Sequence, residues 1–109
     1  MTQQAVADII ESMGFPYAYY QFTNDTEQKP PFVVFFFSSR DDLYADNANY
    51  RPIVVLSVEL YTAEKDFSSE SAVEAVLSSN GLTYSKEEAY IDSESMWQIS
   101  YEMEVIYDG

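Results

Sequence analysis

The chain has 109 residues, 47% of them apolar and 17% aromatic, with 10 tyrosines, 7 phenylalanines and 1 tryptophan. That is enough material for one packed core and too short for two, so a single domain over 1–109 is expected. Five Lys and Arg against 19 Asp and Glu give a net charge of −14, with no histidine and no cysteine. This balance argues against a binder of nucleic-acid backbones, whose affinity comes from clustered cations, and it removes disulfides, thiolate nucleophiles and the usual soft-metal ligands.

Few cations also disfavour an anionic membrane surface, and no apolar run approaches the ~20 residues that span a bilayer. The opening Met1-Thr2-Gln3-Gln4 lacks the cationic region of a signal peptide. Absence of cysteine is compatible with a reducing cytosol.

Val6, Ile9, Ile10 and Met13 recur at helical spacing, with Thr2 placed as N-cap and Gly14 as the residue closing the C-terminus. Pro16 ends that pattern, and Tyr17–Phe22 has strand propensity. Residues 23–31 read as a connection. Phe32-Val33-Val34-Phe35-Phe36-Phe37 is a short apolar run between Pro31 and Ser38-Ser39, which predicts a strand. Arg40 to Arg51 is polar and reads as a long loop. Ile53–Thr62 predicts a long strand whose even positions, Val54, Leu56, Val58 and Leu60, are all apolar. A second helix follows Phe67, with a serine cap at Ser68-Ser69 and Glu70 in the first turn, where the helix dipole favours an acid. Ala72, Val73, Val76 and Leu77 form its stripe, and Asn80-Gly81 ends it with Leu82 closing a Schellman-type contact. Leu82–Ile91 reads as a bent or interrupted strand. Met96–Tyr107 alternates cleanly, with Trp97, Ile99, Tyr101, Met103, Val105 and Tyr107 on one face.

The order α-β-β-β-α-β-β predicts an α+β two-layer sandwich: a mostly antiparallel sheet of about five strands with two helices on one face. The second sheet face is then the question. Ser57, Glu59, Gln98, Ser100, Glu102 and Glu104 make part of it polar, but the Phe32–Phe37 strand is apolar on both sides, and Tyr17, Tyr19 and Tyr20 also point both ways. Either the long loop folds over this surface or a second copy covers it, since tyrosine-rich apolar surface marks interfaces.

Carboxylates are the only abundant reactive groups. Glu59, Glu102 and Glu104 can share a sheet face, where a solvated surface is the simpler account than acid/base catalysis. Asp41, Asp42, Asp46 and Asn47 supply oxygen ligands without the spacing or glycine of a Ca²⁺ loop. There is no phosphate-binding glycine motif, no histidine to activate a serine, and no lysine in an apolar setting. No enzymatic activity, metal or cofactor is expected. Arg40 and Arg51 bracket the loop that holds Tyr44 and Tyr50; they read as interface residues or as partners of the neighbouring aspartates.

Taken together, Gly14-Phe15-Pro16-Tyr17-Ala18-Tyr19, Pro30-Pro31-Phe32-Val33-Val34-Phe35, Val58-Glu59-Leu60-Tyr61-Thr62, Asn80-Gly81 and Trp97-Gln98-Ile99-Ser100-Tyr101-Glu102-Met103-Glu104-Val105 resemble small proteins of the head–tail joining module of tailed phages and prophages. The layout is most similar to the tail terminator or tail-to-head joining group. The resemblance implies a non-catalytic subunit that assembles with itself into a ring, commonly hexameric. Such a ring caps the tail tube, contacts the tube protein and the head connector or head-completion protein, and passes from host cytoplasm into the virion tail. Tyr19, Phe36, Arg40, Tyr44, Tyr50 and Arg51 are then candidate interface residues. Glu59, Glu102 and Glu104 are a candidate lumen set, repelling DNA in transit. A rival of another class is an acidic DNA mimic that inhibits a nucleic-acid-binding protein; the charge fits it, while the aromatic content exceeds what a mimic requires.

Overall fold

The computed structural model describes residues 1–22, 28–42 and 52–107, without the side chains of residues 39–42 and 52. Seven elements follow in the order α1 (Gln3–Glu11), β1 (Tyr17–Tyr19), β2 (Phe32–Asp42), β3 (Pro52–Thr62), α2 (Phe67–Ser79), β4 (Ser85–Ile91) and β5 (Met96–Ile106). The strands form one five-stranded sheet in the order β1-β2-β3-β5-β4. Both helices lie on the same face, so the fold is the expected α+β sandwich.

Alternation along the strands builds the core. Val33 and Phe35 of β2, Val54, Leu56, Val58 and Leu60 of β3, and Ile99, Tyr101, Met103 and Val105 of β5 are buried together with Val6, Ile10 and Met13 of the α1 region and Val73 and Leu77 of α2. The registers pair Val58 with both Phe35 and Tyr101, so these side chains share the helix-covered face. Thr2 caps α1 by accepting from the Ala5 N–H at 3.0 Å, and Gly14 takes φ +88° beyond its end, where a Cβ would be strained. Leu82 donates to the Leu77 carbonyl at 3.0 Å and packs on the core, the predicted closure of α2.

Four local expectations are corrected. First, β1 stops at Tyr19, because Tyr20 adopts φ +70° and leaves the strand direction. It pairs with β2 in parallel, not antiparallel. The connection between them, residues 20–31, is about the dozen residues that a parallel return needs. Second, β2 continues past Phe37 to Asp42, through a register shift between Phe37 and Ser39. A bulge of this kind lets a strand run on without keeping strict alternation. Third, α2 is capped by Asp66, not by the serines: its carboxylate accepts from the Ser69 N–H at 3.1 Å and the Ser69 hydroxyl at 2.8 Å. An ionised carboxylate is the stronger acceptor at this position. Fourth, β4 is an uninterrupted edge strand with nearly every residue exposed; an edge held on one side tolerates the polar run Lys86-Glu87-Glu88.

Candidate interaction surfaces

On the sheet face away from the helices, Phe32 and Val34 are only 8% and 6% exposed. The chain therefore shelters much of its phenylalanine strand itself. It does so with aromatic rings. Tyr61 of β3 stacks on Phe32 at 4.9 Å, Phe22 meets Phe32 edge-on at 5.4 Å, and Tyr20 stacks on Phe36 at 5.3 Å. Strand alternation puts Tyr20 on the face opposite Tyr19, and its positive φ turns the chain out of β1. Of the two covers expected for this surface, the long loop or a second copy, a second copy is not needed to bury Phe32 and Val34. Phe22 and Tyr61 lie against Phe32 and Tyr20 against Phe36; residues 43–51 of the long loop lie outside the described residues.

Beyond this aromatic stripe the same face turns polar and acidic. The Tyr61 hydroxyl donates to Glu59 at 2.9 Å and accepts from Gln98 at 2.8 Å. Burial and the Glu59 charge push the Tyr61 phenol up to about 12, so it stays a neutral donor. Ser100 lies opposite Glu59, Glu102 opposite Ser57, and Glu104 opposite Val55.

The two edges of the sheet carry exposed aromatics. At the β1 edge, Tyr17 and Tyr19 are each 36% exposed and Tyr20 is 56% exposed. At the other edge Tyr90 of β4 lies on Trp97 at 5.3 Å, and the Lys65 ammonium sits between Trp97 and the largely exposed Phe67, at 5.7 and 5.2 Å.

Between α2 and β4 lies a charged cluster. Glu70 is 3% exposed, and its two oxygens meet Lys65 and Lys86 at 2.8 Å each. Lys86 also reaches Glu74 at 2.7 Å, and Lys65 reaches Glu88 at 2.7 Å. The buried Tyr101 hydroxyl donates to Glu74 at 2.8 Å. Burial and the adjacent Glu74 carboxylate hold that phenol well above its ordinary value. Burial opposes ionisation of Glu70 and Glu74, but hydrogen bonds from the lysines, joined for Glu74 by Tyr101, outweigh it and hold both carboxyls below their ordinary range. Where β4 leaves β5, a groove of about 660 Å³ is lined by Leu82, Tyr84, Ser85, Glu102, Met103 and Glu104. Among the described residues, no group of three or more acidic side chains is arranged to hold a metal ion.

The fold is similar to that of a chain in a solved virion of a native gene transfer agent particle. The TM-score is 0.59 at 14% identity, over 94% of this chain and 85% of that one. At that identity the likeness speaks for the fold. No protein-family model matches the chain, and no curated protein matches its sequence.

The structure brings Glu59, Glu102 and Glu104 onto one face, with Glu102 and Glu104 exposed and Glu59 half-buried. It separates Tyr19 from Phe36. Tyr19 is level with Phe35 and contacts that ring at 5.3 Å on the helix side, while Phe36 lies half-buried beneath Tyr20 on the other. Arg40 sits opposite Val54 in β2, its side chain outside the described residues, as are Tyr44, Tyr50 and Arg51. The Glu70 cluster is not among the features expected from the sequence, where Glu70 reads only as a first-turn acid. The available signal was that Lys65 and Lys86, two of the chain's five cations, flank the helix that carries Glu70 and Glu74.

Proposed function

We propose that this protein is a structural subunit of a phage-like particle. It assembles with copies of itself into a ring that ends the tail tube and joins it to the head connector. The observation that carries this reading is the fold likeness to a virion chain across nearly the full length of both. The distribution of aromatics adds support. Tyr17, Tyr19 and Tyr20 lie at one edge of the sheet, and Phe67 and Tyr90 at the other. Two different adhesive patches on opposite edges suit head-to-tail contacts, which generate a ring when the rotation closes. Tyr and aromatic side chains are the residue types enriched in such contacts.

In this reading Tyr19 and Phe36, with Arg40, Tyr44, Tyr50 and Arg51, contribute to subunit contacts. Glu59, Glu102 and Glu104 face the channel, where carboxylates repel the DNA backbone and keep it from sticking. The strong net negative charge opposes association at low ionic strength, so salt should favour the ring.

Light scattering across the micromolar range, at low and moderate salt, tests the assembly directly. The expected result is a mass several times that of one chain, rising with concentration and salt, and binding to purified tails that lack a terminus. A one-chain mass at every concentration, with no binding to tails, overturns the proposal. Capture of cationic DNA-binding enzymes in place of tails would turn the reading towards a DNA mimic.

A further inference from the structure

We infer that β4 is a cover strand clamped by charge, and that it opens as a unit, ahead of the rest of the sheet, when the carboxylates of α2 lose their charge. The inference does not depend on the ring.

β4 lacks an apolar inner face. On the helix-covered face, the central strands present buried apolar groups such as Val58, Leu60 and Ile99. By register, the corresponding positions of β4 are Lys86 opposite Tyr101, Glu88 opposite Ile99 and Tyr90 opposite Trp97. Ile91, at its end, is half-buried, and the other residues of the strand are exposed, Tyr90 by 47%. So β4 adds almost nothing to the apolar core, which elsewhere supplies most of the holding free energy.

Among the described residues, four things then attach it: the backbone ladder to β5, the Tyr90–Trp97 contact, the Lys86 ammonium over the Tyr101 ring at 5.9 Å, and the ion pairs to α2 and the turn before it. Lys86 reaches from β4 to Glu70 and Glu74, while Glu88 of β4 receives Lys65. Glu70 joins the two halves, since each of its oxygens holds one lysine. The charged groups facing it are Lys65 from the preceding turn, Lys86 from β4 and Glu74 one turn along its own helix. Glu88 lies beyond Lys65, and β5 supplies only the neutral phenol of Tyr101. Asp66 is turned to Ser69 as the helix cap. Neutralising Glu70 removes the one anion common to both lysines; its carboxylate is 3% exposed while the lysines are 25% and 37% exposed, so the charge lost is the one most shielded from water.

Release would leave the core in place, because β3 still flanks β5 on its other side. It would bare a longer edge. β4 covers β5 from Met96 to Glu102, and β5 runs on to Ile106 without it. Opening therefore converts a short free end into one continuous strand edge.

Amide hydrogen exchange on the full chain tests this, comparing wild type with Glu70→Gln at pH 7. Residues 85–91 should exchange about ten-fold faster or more in the variant, with residues 54–60 of β3 changed less than about two-fold; ten-fold corresponds to about 1.4 kcal/mol of lost local protection. Wild type taken from pH 7 to about pH 3, where carboxyls held below their ordinary range begin to protonate, and corrected for intrinsic exchange rates, should show the same selectivity. Acceleration spread evenly over β3, β4 and β5 overturns the inference, as does unchanged exchange over residues 85–91. If Glu70→Gln does not fold, Lys86→Gln at the partly exposed end of the clamp carries the same expectations and the same refutations.

Discussion

Phe35 and Phe36 are neighbours in sequence and identical in chemistry, yet they point to opposite sides of β2, so truncating each to alanine separates core from periphery. Phe35 is 2% exposed, lies in the core cluster and touches Tyr19 at 5.3 Å and Tyr17 at 6.4 Å. Phe35→Ala deletes a fully buried ring and should cost about 3–5 kcal/mol. Phe36 is half-buried and holds one stacked partner, Tyr20 at 5.3 Å. Phe36→Ala loses part of a ring's burial and one aromatic pair, about 1–2 kcal/mol in an isolated chain. A domain of this size is stable by about 5–15 kcal/mol, so the first change approaches the unfolding threshold and the second does not. Urea denaturation at a concentration where the chain is monomeric measures both, provided the slope with denaturant stays constant. Equal costs for the two would refute the assignment of faces, and a cost below about 1 kcal/mol for Phe35→Ala would refute the core itself. Under the proposed function, Phe36→Ala should also weaken self-association beyond its effect on folding.

The remaining predictions concern charge and capping. Glu70 and Glu74 titrate below the ordinary carboxyl range in the folded chain, so their stabilisation is complete above the unfolded value of about 4.3 and is lost as pH falls through the folded values. A melting-temperature series from pH 6 to pH 3 should fall, and Glu70→Gln should flatten part of that fall. Lys65 and Lys86 titrate above their ordinary value, so their share persists below about 10.4 and is lost only as pH rises through the folded values. Asp66→Ala should cost about 0.5–2 kcal/mol by chemical denaturation, whereas Ser68→Ala should cost almost nothing, because Asp66 is the cap. In an alkaline ultraviolet titration Tyr61 should ionise near pH 12, and Tyr61→Phe should remove that late component.

The two helices, the strands β2, β3 and β5 and the core stripe were legible in the sequence because they depend on local periodicity. A period of two in Val54–Leu60 and Ile99–Val105, and helical spacing in Val6–Met13, specify which side of each element avoids water regardless of its neighbours. The placement of Glu59, Glu102 and Glu104 on one face followed from the same alternation once β3 and β5 were paired. The β1–β2 pairing did not follow, since periodicity within a strand does not say in which direction its neighbour runs, and nothing local marks the positive φ at Tyr20. Nor did the separation of Tyr19 from Phe36, or the self-cover of Phe32 by Phe22 and Tyr61. Charge pairing was the least legible of all. Lys65 meets Glu88 across 23 positions, and Tyr101 meets Glu74 across 27. A carboxylate carries no local mark of whether it will face water or a lysine, so the sequence alone determined the periodic elements and the excess of acid. Only the packing of α2 against the β4 edge decided which of those acids would be buried.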